Sequence, residues 1–295
     1  MMQHLQELQK IAQLNHGNRS VGSQGGLASA EYIVNQTKKM GFQPQLQVFK
    51  NRENTVGQNI LIEIPGESID SAVIIGAHYD SVKMGPGIND NGSGVALLLE
   101  LMNQYAGQKN KPKQTLYFAF WDAEEVGIAG SEHFVKALSD EQLQGIRAYI
   151  NVDMVGTKNP EVMIADADRL SVDELEKTLK ERADLQESDY LPLIQGLRSI
   201  PSHSGDLALQ KSLEQFFENK NIQSRKDLST LTASDTAPFL GKVPVTSIIL
   251  FNEQLKGDVL EFAPCYHQAC DQIDQVDENS LQLAGEAVLY LLKSL

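Results

Sequence analysis

Cysteine is nearly missing from this chain, and so is any long apolar run. Only Cys265 and Cys270 occur in 295 residues, which excludes a fold stapled by many disulfides. A structural zinc knuckle needs four ligands, and only His267 stands near the pair. From spacing alone, two reduced thiols and one short-loop disulfide remain equally open. No segment approaches the ~20 consecutive apolar residues needed to cross a bilayer. Basic residues are few: 25 Lys and Arg against 39 Asp and Glu, a net charge of −14. Nucleic acid, whose phosphates demand basic patches, is thereby excluded as a partner. An acidic surface favours instead a cationic ligand such as the free amine of a peptide. The first residues, Met1–Leu14, lack the charged start and continuous apolar stretch of a signal peptide. Leu5, Leu8, Ile11 and Ala12 fall there on one face of a helix. Both a cytosolic chain and one that has lost a leader fit this. Gly-x-Ser-x-Gly and His-Glu-x-x-His are also lacking, which removes the serine-hydrolase and helix-borne one-zinc readings.

What is present alternates. Helical patterns at about Leu27–Met40, Val95–Tyr105, Ser131–Leu138 and Asn279–Leu292 are interleaved with strand patterns at Gln45–Phe49, Asn59–Ile64, Ala72–Ala77, Thr115–Trp121, Arg147–Val152 and Val245–Phe251. Gly41 closes the first of these helices. Such alternation predicts an α/β fold, a single domain with a mixed, mostly parallel central sheet and helices on both faces. Ser171–Asn219 reads as mostly helical, within an irregular stretch, 156–233, expected to be an insertion over one rim. No internal repeat, low-complexity tract or Pro/Gly/Ser-rich linker divides the chain.

In open α/β sheets, ligands bind beyond the carboxyl ends of the strands. His78-Tyr79-Asp80, Asp122-Ala123-Glu124-Glu125 and Asp153 each follow a strand, and the loop after Val245–Phe251 carries Tyr266-His267. Asn89-Asp90-Asn91-Gly92-Ser93-Gly94 lies between the first two. Singly, each is ordinary: a loop histidine, a helix-capping aspartate, a solvated glutamate pair. Together on one rim the carboxylates would repel one another unless a cation neutralised them. Two imidazoles and three carboxylates suit two zinc ions if one carboxylate bridges them. Calcium or magnesium would use oxygen ligands with few imidazoles. Asp80, two residues past His78, suits a partner for that imidazole's other nitrogen. Of two adjacent glutamates, one can bind metal while the other takes a proton from water.

These segments resemble the bacterial double-zinc aminopeptidases of peptidase family M28, whose clan includes glutamate carboxypeptidase and the transferrin receptor. The resemblance rests on GAHYDSV (Gly76–Val82), GINDNGSGVALLLE (Gly87–Glu100), FAFWDAEEVGIAGSEHF (Phe118–Phe134), NVDMVG (Asn151–Gly156) and CYHQACD (Cys265–Asp271). Weaker matches are NHGNRSVGSQG (Asn15–Gly25) and SDTAPF (Ser234–Phe239). The resemblance implies two Zn²⁺ per chain: His78 and Asp153 on one, Glu125 and His267 on the other, Asp90 bridging. It implies Glu124 as general base acting on a metal-bridging water, Asp80 as orienter of His78, and Tyr266 as a donor to the developing oxyanion. It implies a Cys265–Cys270 disulfide, and hence a secreted or periplasmic protein. The substrates it implies are peptides with a free N-terminus, cut by a monomer that contacts neither membrane nor nucleic acid. Rival activities on the same fold are a glutaminyl cyclase, with one zinc, and a carboxypeptidase, which needs a basic pocket. A binding module of the transferrin-receptor kind would have lost ligands.

Two departures stand out. Some relatives carry Arg directly before the Ser-Asp of the late motif, where this chain has Ala233. Many relatives also insert a protease-associated domain before the His-x-Asp motif, and Phe49–Ala77 leaves no room for one. Of the other histidines, His4 and His16 are expected to be exposed and His133 to hold an ordinary helix position. His203 is expected at the pocket rim, with Met84, Pro86 and Ile88 as candidates for the pocket wall.

Overall fold

The computed structural model describes residues 1–108, 111–256 and 259–295. Among these residues, eight strands share one sheet: β1 (Gln45–Lys50), β2 (Val56–Ile64), β3 (Ser68–His78), β4 (Gln114–Trp121), β5 (Ile146–Asp153), β6 (Glu161–Ala165), β7 (Ser224–Asp227) and β8 (Val245–Phe251). Their spatial order is β1-β2-β4-β3-β5-β8-β6-β7. The four central strands β4, β3, β5 and β8 are parallel. β2 runs against β4, β1 against β2 and β6 against β8. The sheet is therefore mixed with a parallel centre, as the alternation predicts. A hairpin, β9 (Gln254–Lys256) and β10 (Val259–Glu261), stands apart.

Among the described residues, ten helices surround it: α1 (Met2–Leu14), α2 (Gln24–Lys39), α3 (Ser93–Asn103), α4 (Ala129–Ala137), α5 (Asp140–Gly145), α6 (Leu170–Lys180), α7 (Glu187–Arg198), α8 (Asp206–Asn219), α9 (Ser229–Thr232) and α10 (Glu278–Ser294). Alternating side chains of the central strands face opposite layers. Val73, Ile75 and Ala77 of β3, with Phe118 and Phe120 of β4, join one core against α1, α2, α3, α8 and α10. Ile74 and Trp121, with Tyr149 of β5, join a second core with α4, α6, α7 and α9. Both faces are covered, so the strands read as continuous apolar runs. Among the described residues, no helix is long and apolar enough to cross a membrane.

Local chemistry sets the boundaries. α2 starts at Gln24 because the Ser23 side chain accepts from Gly26 N–H, three residues before the apolar pattern begins. It ends at Lys39, with Met40 as its cap and Gly41, whose φ of +91° is left-handed, directly after. α3 is apolar on nearly every face, Glu100 and Asn103 apart, and Val95 through Leu99, Leu101 and Met102 are buried. Such a helix is stable only when enclosed; α1, α2 and α10 enclose it. Each fully buried Leu is worth roughly 1.5–3 kcal/mol, so the turn that feeds α3 is firmly held. The stretch 156–233 contributes β6 and β7 to the sheet edge beyond β8, together with α6, α7, α8 and α9. β7, Ser-Arg-Lys-Asp, carries no apolar residue and left no trace in the hydrophobic pattern.

Candidate metal centre

Three parallel strands deliver carboxyl-end residues to one rim. His78 closes β3, Asp153 closes β5, and Glu124 and Glu125 follow β4. Asp90 sits in the turn Ile88–Gly92 before α3, where the Asp90–Asn91 peptide is cis. His267 arrives from the loop after the hairpin. Non-glycine residues with left-handed backbone mark these points: Ala123 (φ 60°), Met154 (48°), Cys265 (66°) and His267 (57°). This conformation costs roughly 1–2 kcal/mol per residue and persists only where the surroundings impose it.

All five expected ligands come together, as two trios that share Asp90. His78 Nε2 lies 3.3 Å from Asp90 Oδ1 and 3.5 Å from Asp153 Oδ1. His267 Nε2 lies 3.3 Å from Asp90 Oδ2 and 3.1 Å from Glu125 Oε2. Charge-assisted hydrogen bonds between such groups would be shorter, about 2.7–2.9 Å. Donors about 2.0–2.1 Å from one tetrahedral centre stand about 3.3–3.4 Å from each other, and the observed separations cluster there. Asp153 Oδ1 and Glu125 Oε1 are buried and accept no hydrogen bond, an arrangement that burial penalises unless a cation is bound. The donor set thus fits zinc.

Neighbouring groups aim the ligands. Asp80 Oδ1 stands 3.4 Å from His78 Nδ1, and its two oxygens accept from Glu124 and Glu125 N–H at 3.1 and 3.3 Å. One aspartate therefore faces an imidazole and fixes the backbone of both glutamates. Asp153 Oδ2 accepts from Ser234 Oγ at 2.7 Å. Behind Ser234, a chain of donors runs from Trp121 Nε1 to the Tyr149 hydroxyl, from there to Asn151 Oδ1, and from Asn151 Nδ2 to Ser234 Oγ. Asp271 is buried, and its carboxylate accepts from Asn89 and Asp90 N–H at 2.8 and 3.1 Å. It holds Asp90, the residue common to both trios, by its backbone. Ser234, Asp271 and Arg19 lie inside motifs quoted above, yet only the fold reveals what they touch.

Cys265 and Cys270 form a disulfide with Cα atoms 5.4 Å apart. It closes the loop that presents Tyr266 and His267, whose rings stack at 3.7 Å between centroids. Gly85 makes room for this loop, since a Cβ there would come 2.1 Å from the Gln268 carbonyl oxygen.

The electrostatics are those of a site built for cations. Burial lifts Glu124 well above the ordinary carboxylate range; Asp235, Asp153 and Glu125 add to this and His78 opposes it. Burial and Asp90 push Glu125 up to about 7, against the hydrogen bond from His267. Burial alone would lower His267, but Asp90 and Glu125 outweigh it and raise it to about 10. Zinc requires neutral imidazole and ionised carboxylate, so it competes with protons here. Zinc affinity is expected to rise with pH, most steeply below about 7, where both Glu125 and His267 hold protons, and still up to about 10, where His267 alone does, with protons released on binding. Calorimetry in buffers of different ionisation enthalpy measures this; affinity independent of pH would contradict it. For the metal-free protein the sign is opposite. The contribution of protonated His267 to stability is complete below its unfolded value near 6.5 and is lost as pH rises through about 10.

Beside the trios lies a cavity of about 220 Å³, lined by Asp90, Glu124, Glu125 and Asp153, by Tyr266 and His267, and by Met154, Ile249, Phe251, Phe262, Ser229 and Ala233. Three expectations need correction. His203 lines a different cavity, with Arg147 and Pro244 at the opposite ends of β5 and β8. Met84 is exposed, while Pro86 and Ile88 are buried away from the cavity; Ile88 packs into the core. His4 is half-buried against the Tyr32 hydroxyl at 2.7 Å. His133 stacks on Phe49, as a helix residue would.

Comparison with known proteins agrees with this geometry. The model of Peptidase family M28 matches residues 59–292. Leupeptin-inactivating enzyme 1 of Streptomyces exfoliatus is 32 % identical over 292 residues, covering 99 % of this chain and 60 % of the relative. The chain spans about half the length of the curated relatives it matches. Among solved structures, BSAP, a zinc aminopeptidase from Bacillus subtilis, superposes with a TM-score of 0.60 at 25 % identity, over 82 % of this chain and 50 % of that one. A glutaminyl cyclase from an Acidobacteriales bacterium gives a TM-score of 0.72 at 20 % identity, over 99 % and 94 %, a likeness of fold. The chain belongs to Peptidase family M28.

Proposed function

We propose that this chain is a zinc aminopeptidase that removes residues from the free N-termini of peptides. The observation that carries this is the pair of trios joined through the two oxygens of Asp90. His78, Asp90 and Asp153 would hold one zinc, and Asp90, Glu125 and His267 the other. Zinc so held would supply Lewis acidity and would lower the pKa of the attacking water.

The chain's own groups do the rest. Glu124, which burial lifts well above the ordinary carboxylate range, lines the cavity outside both trios, where it takes a proton from the attacking water and passes it to the leaving amine. Tyr266 lines the cavity, and burial together with Asp90 and Glu125 raises its pKa far above 10, so it stays a protonated donor for the oxyanion. The cavity is smaller than the ~300–1,000 Å³ of sites for drug-sized ligands, which suits one residue and confines cleavage to chain ends. Met154, Ile249, Phe251 and Phe262 offer that residue an apolar wall. No Arg or Lys occurs among the described lining residues, and Arg198 and Arg225 are engaged by Asp173, Glu176 and Glu253, which disfavours a carboxypeptidase. The disulfide suits an oxidising compartment outside the cytoplasm.

A panel of aminoacyl nitroanilides, with an N-terminal glutaminyl peptide as the cyclase substrate, tests this in apo, one-zinc and two-zinc protein. Hydrolysis of leucyl or similar apolar substrates by the two-zinc form is expected. Cyclisation of the glutaminyl peptide without anilide hydrolysis would overturn the assignment.

A further inference from the structure

Arg19 is wholly buried, in a segment far from every ligand in sequence. A buried cation is expensive unless its surroundings compensate it, so its position calls for a reason. Its guanidinium fork goes to carbonyl oxygens: Nε donates to Pro86 O at 2.8 Å, Nη1 to Tyr79 O and Nη2 to Gly87 O. Its backbone N–H donates to Ser81 Oγ at 2.9 Å, and the one Ser81 O–H lies within reach of both the Val82 and the Gly85 carbonyl. The carbonyls that Arg19 grips belong to the residue directly after His78 and to the two residues that precede the Asp90 turn. One side chain thus closes the whole loop 79–87 between the first histidine and the bridging aspartate.

The chain is shaped to put Arg19 there. Gly25 and Gly26 open α2, and a Cβ on them would strike Asn18 O at 2.0 Å and Ser20 O at 2.4 Å. Two glycines let the Asn18–Ser20 backbone run against the first turn of α2. At the other end, Gly87 has a φ of +60°, and a Cβ there would meet Asp90 O at 2.3 Å and Arg19 Nη2 at 3.2 Å. Although burial lowers Arg19 to about 10, the field of Asp80, Asp271, Asp90 and Glu125 opposes this, and the fork stays charged at neutral pH.

We propose that Arg19 is a positioning residue of the metal centre, which sets the separation of His78 and Asp90 by clamping the loop between them. This rests on the two-zinc reading. Because Asp90 serves both trios, loosening the clamp weakens both ions rather than one. Lysine keeps the charge but offers a single ammonium that cannot reach three separated carbonyls in a planar fork.

The test is zinc affinity of purified, folded, metal-free protein, by competition with a chromophoric chelator, for wild type, Arg19→Lys, Arg19→Met and a control. Leu213→Ala in α8 is the control, a buried truncation remote from the site that lowers stability without touching the loop. Arg19→Lys and Arg19→Met are expected to lose about 10–100-fold in affinity for both ions, the range for partners that orient metal ligands, while Leu213→Ala keeps wild-type affinity. Wild-type affinity in folded Arg19→Lys and Arg19→Met would overturn the assignment, as would an equal loss in Leu213→Ala. If the Arg19 variants do not fold, Ser81→Ala is read in the same way: weaker binding of both ions supports the clamp, and unchanged binding overturns it. A wild-type chain that took up no zinc would instead sink the two-zinc reading itself.

Discussion

Glu124→Gln is expected to lower peptide hydrolysis by about 10²–10⁴-fold, the usual cost of losing a general base, while zinc content stays at the wild-type level. The two adjacent glutamates divide their tasks by direction. Glu125 Oε2 meets His267 Nε2 and belongs to a trio, whereas Glu124 belongs to neither trio and still lines the cavity. Both backbone N–H groups are pinned by Asp80, so the amide replacement leaves the loop in place. Glutamine preserves size and removes only the ability to hold the proton. Steady-state kinetics on an aminoacyl nitroanilide, with metal analysis of the same sample, measures both halves. A variant as active as wild type would remove Glu124 from the chemistry, and one that lost zinc would make it a ligand.

Asp90→Asn has the other large effect. Each Asp90 oxygen faces a different histidine, His78 through Oδ1 and His267 through Oδ2. An amide can offer only one oxygen and carries no charge. Affinity for both zinc ions is expected to fall by at least about 100-fold, the upper end of what losing a supporting hydrogen-bond partner does. His267→Ala, by contrast, should weaken one ion alone. A ligand that binds only the native state stabilises it by RT ln(1 + [L]/Kd), so at equal zinc concentration the rise in melting temperature should be smaller for Asp90→Asn than for wild type. Zinc titration followed by calorimetry and thermal melting reads this. Retention of one tightly bound ion in Asp90→Asn would contradict the bridging role.

Much of the site was legible in the sequence because parallel strands send their carboxyl ends to one rim. His78, Asp153 and the Glu124-Glu125 pair each stand at such an end, so an alternating pattern with polar residues after each apolar run predicts their convergence. Asp90 was legible through its glycine-rich turn into an apolar helix. The disulfide needed the family resemblance, since five positions of spacing fit free thiols equally well. Arg19, Ser234 and Asp271 were visible as motif residues but not as supports, because they work through backbone carbonyls and hydrogen bonds that only tertiary contact creates. Met84, Pro86 and Ile88 were misplaced because lying between two ligands in sequence is not facing the cavity; the loop folds back under Arg19 and turns Ile88 into the core. His203 was misplaced because Ser-His-Ser-Gly does not reveal which end of the sheet it joins. The apolar wall was hidden too, since β8 is buried along its whole length and no residue in it stands out as pocket rather than core.

The central claim is that one carboxylate is shared by two divalent cations. Anomalous diffraction at the zinc edge, from crystals of zinc-loaded protein, tests it most directly. Two peaks are predicted, one beside each oxygen of Asp90, with His78 and Asp153 at the first and His267 and Glu125 at the second. A single peak, or zinc bound elsewhere with both trios unliganded, would contradict the account.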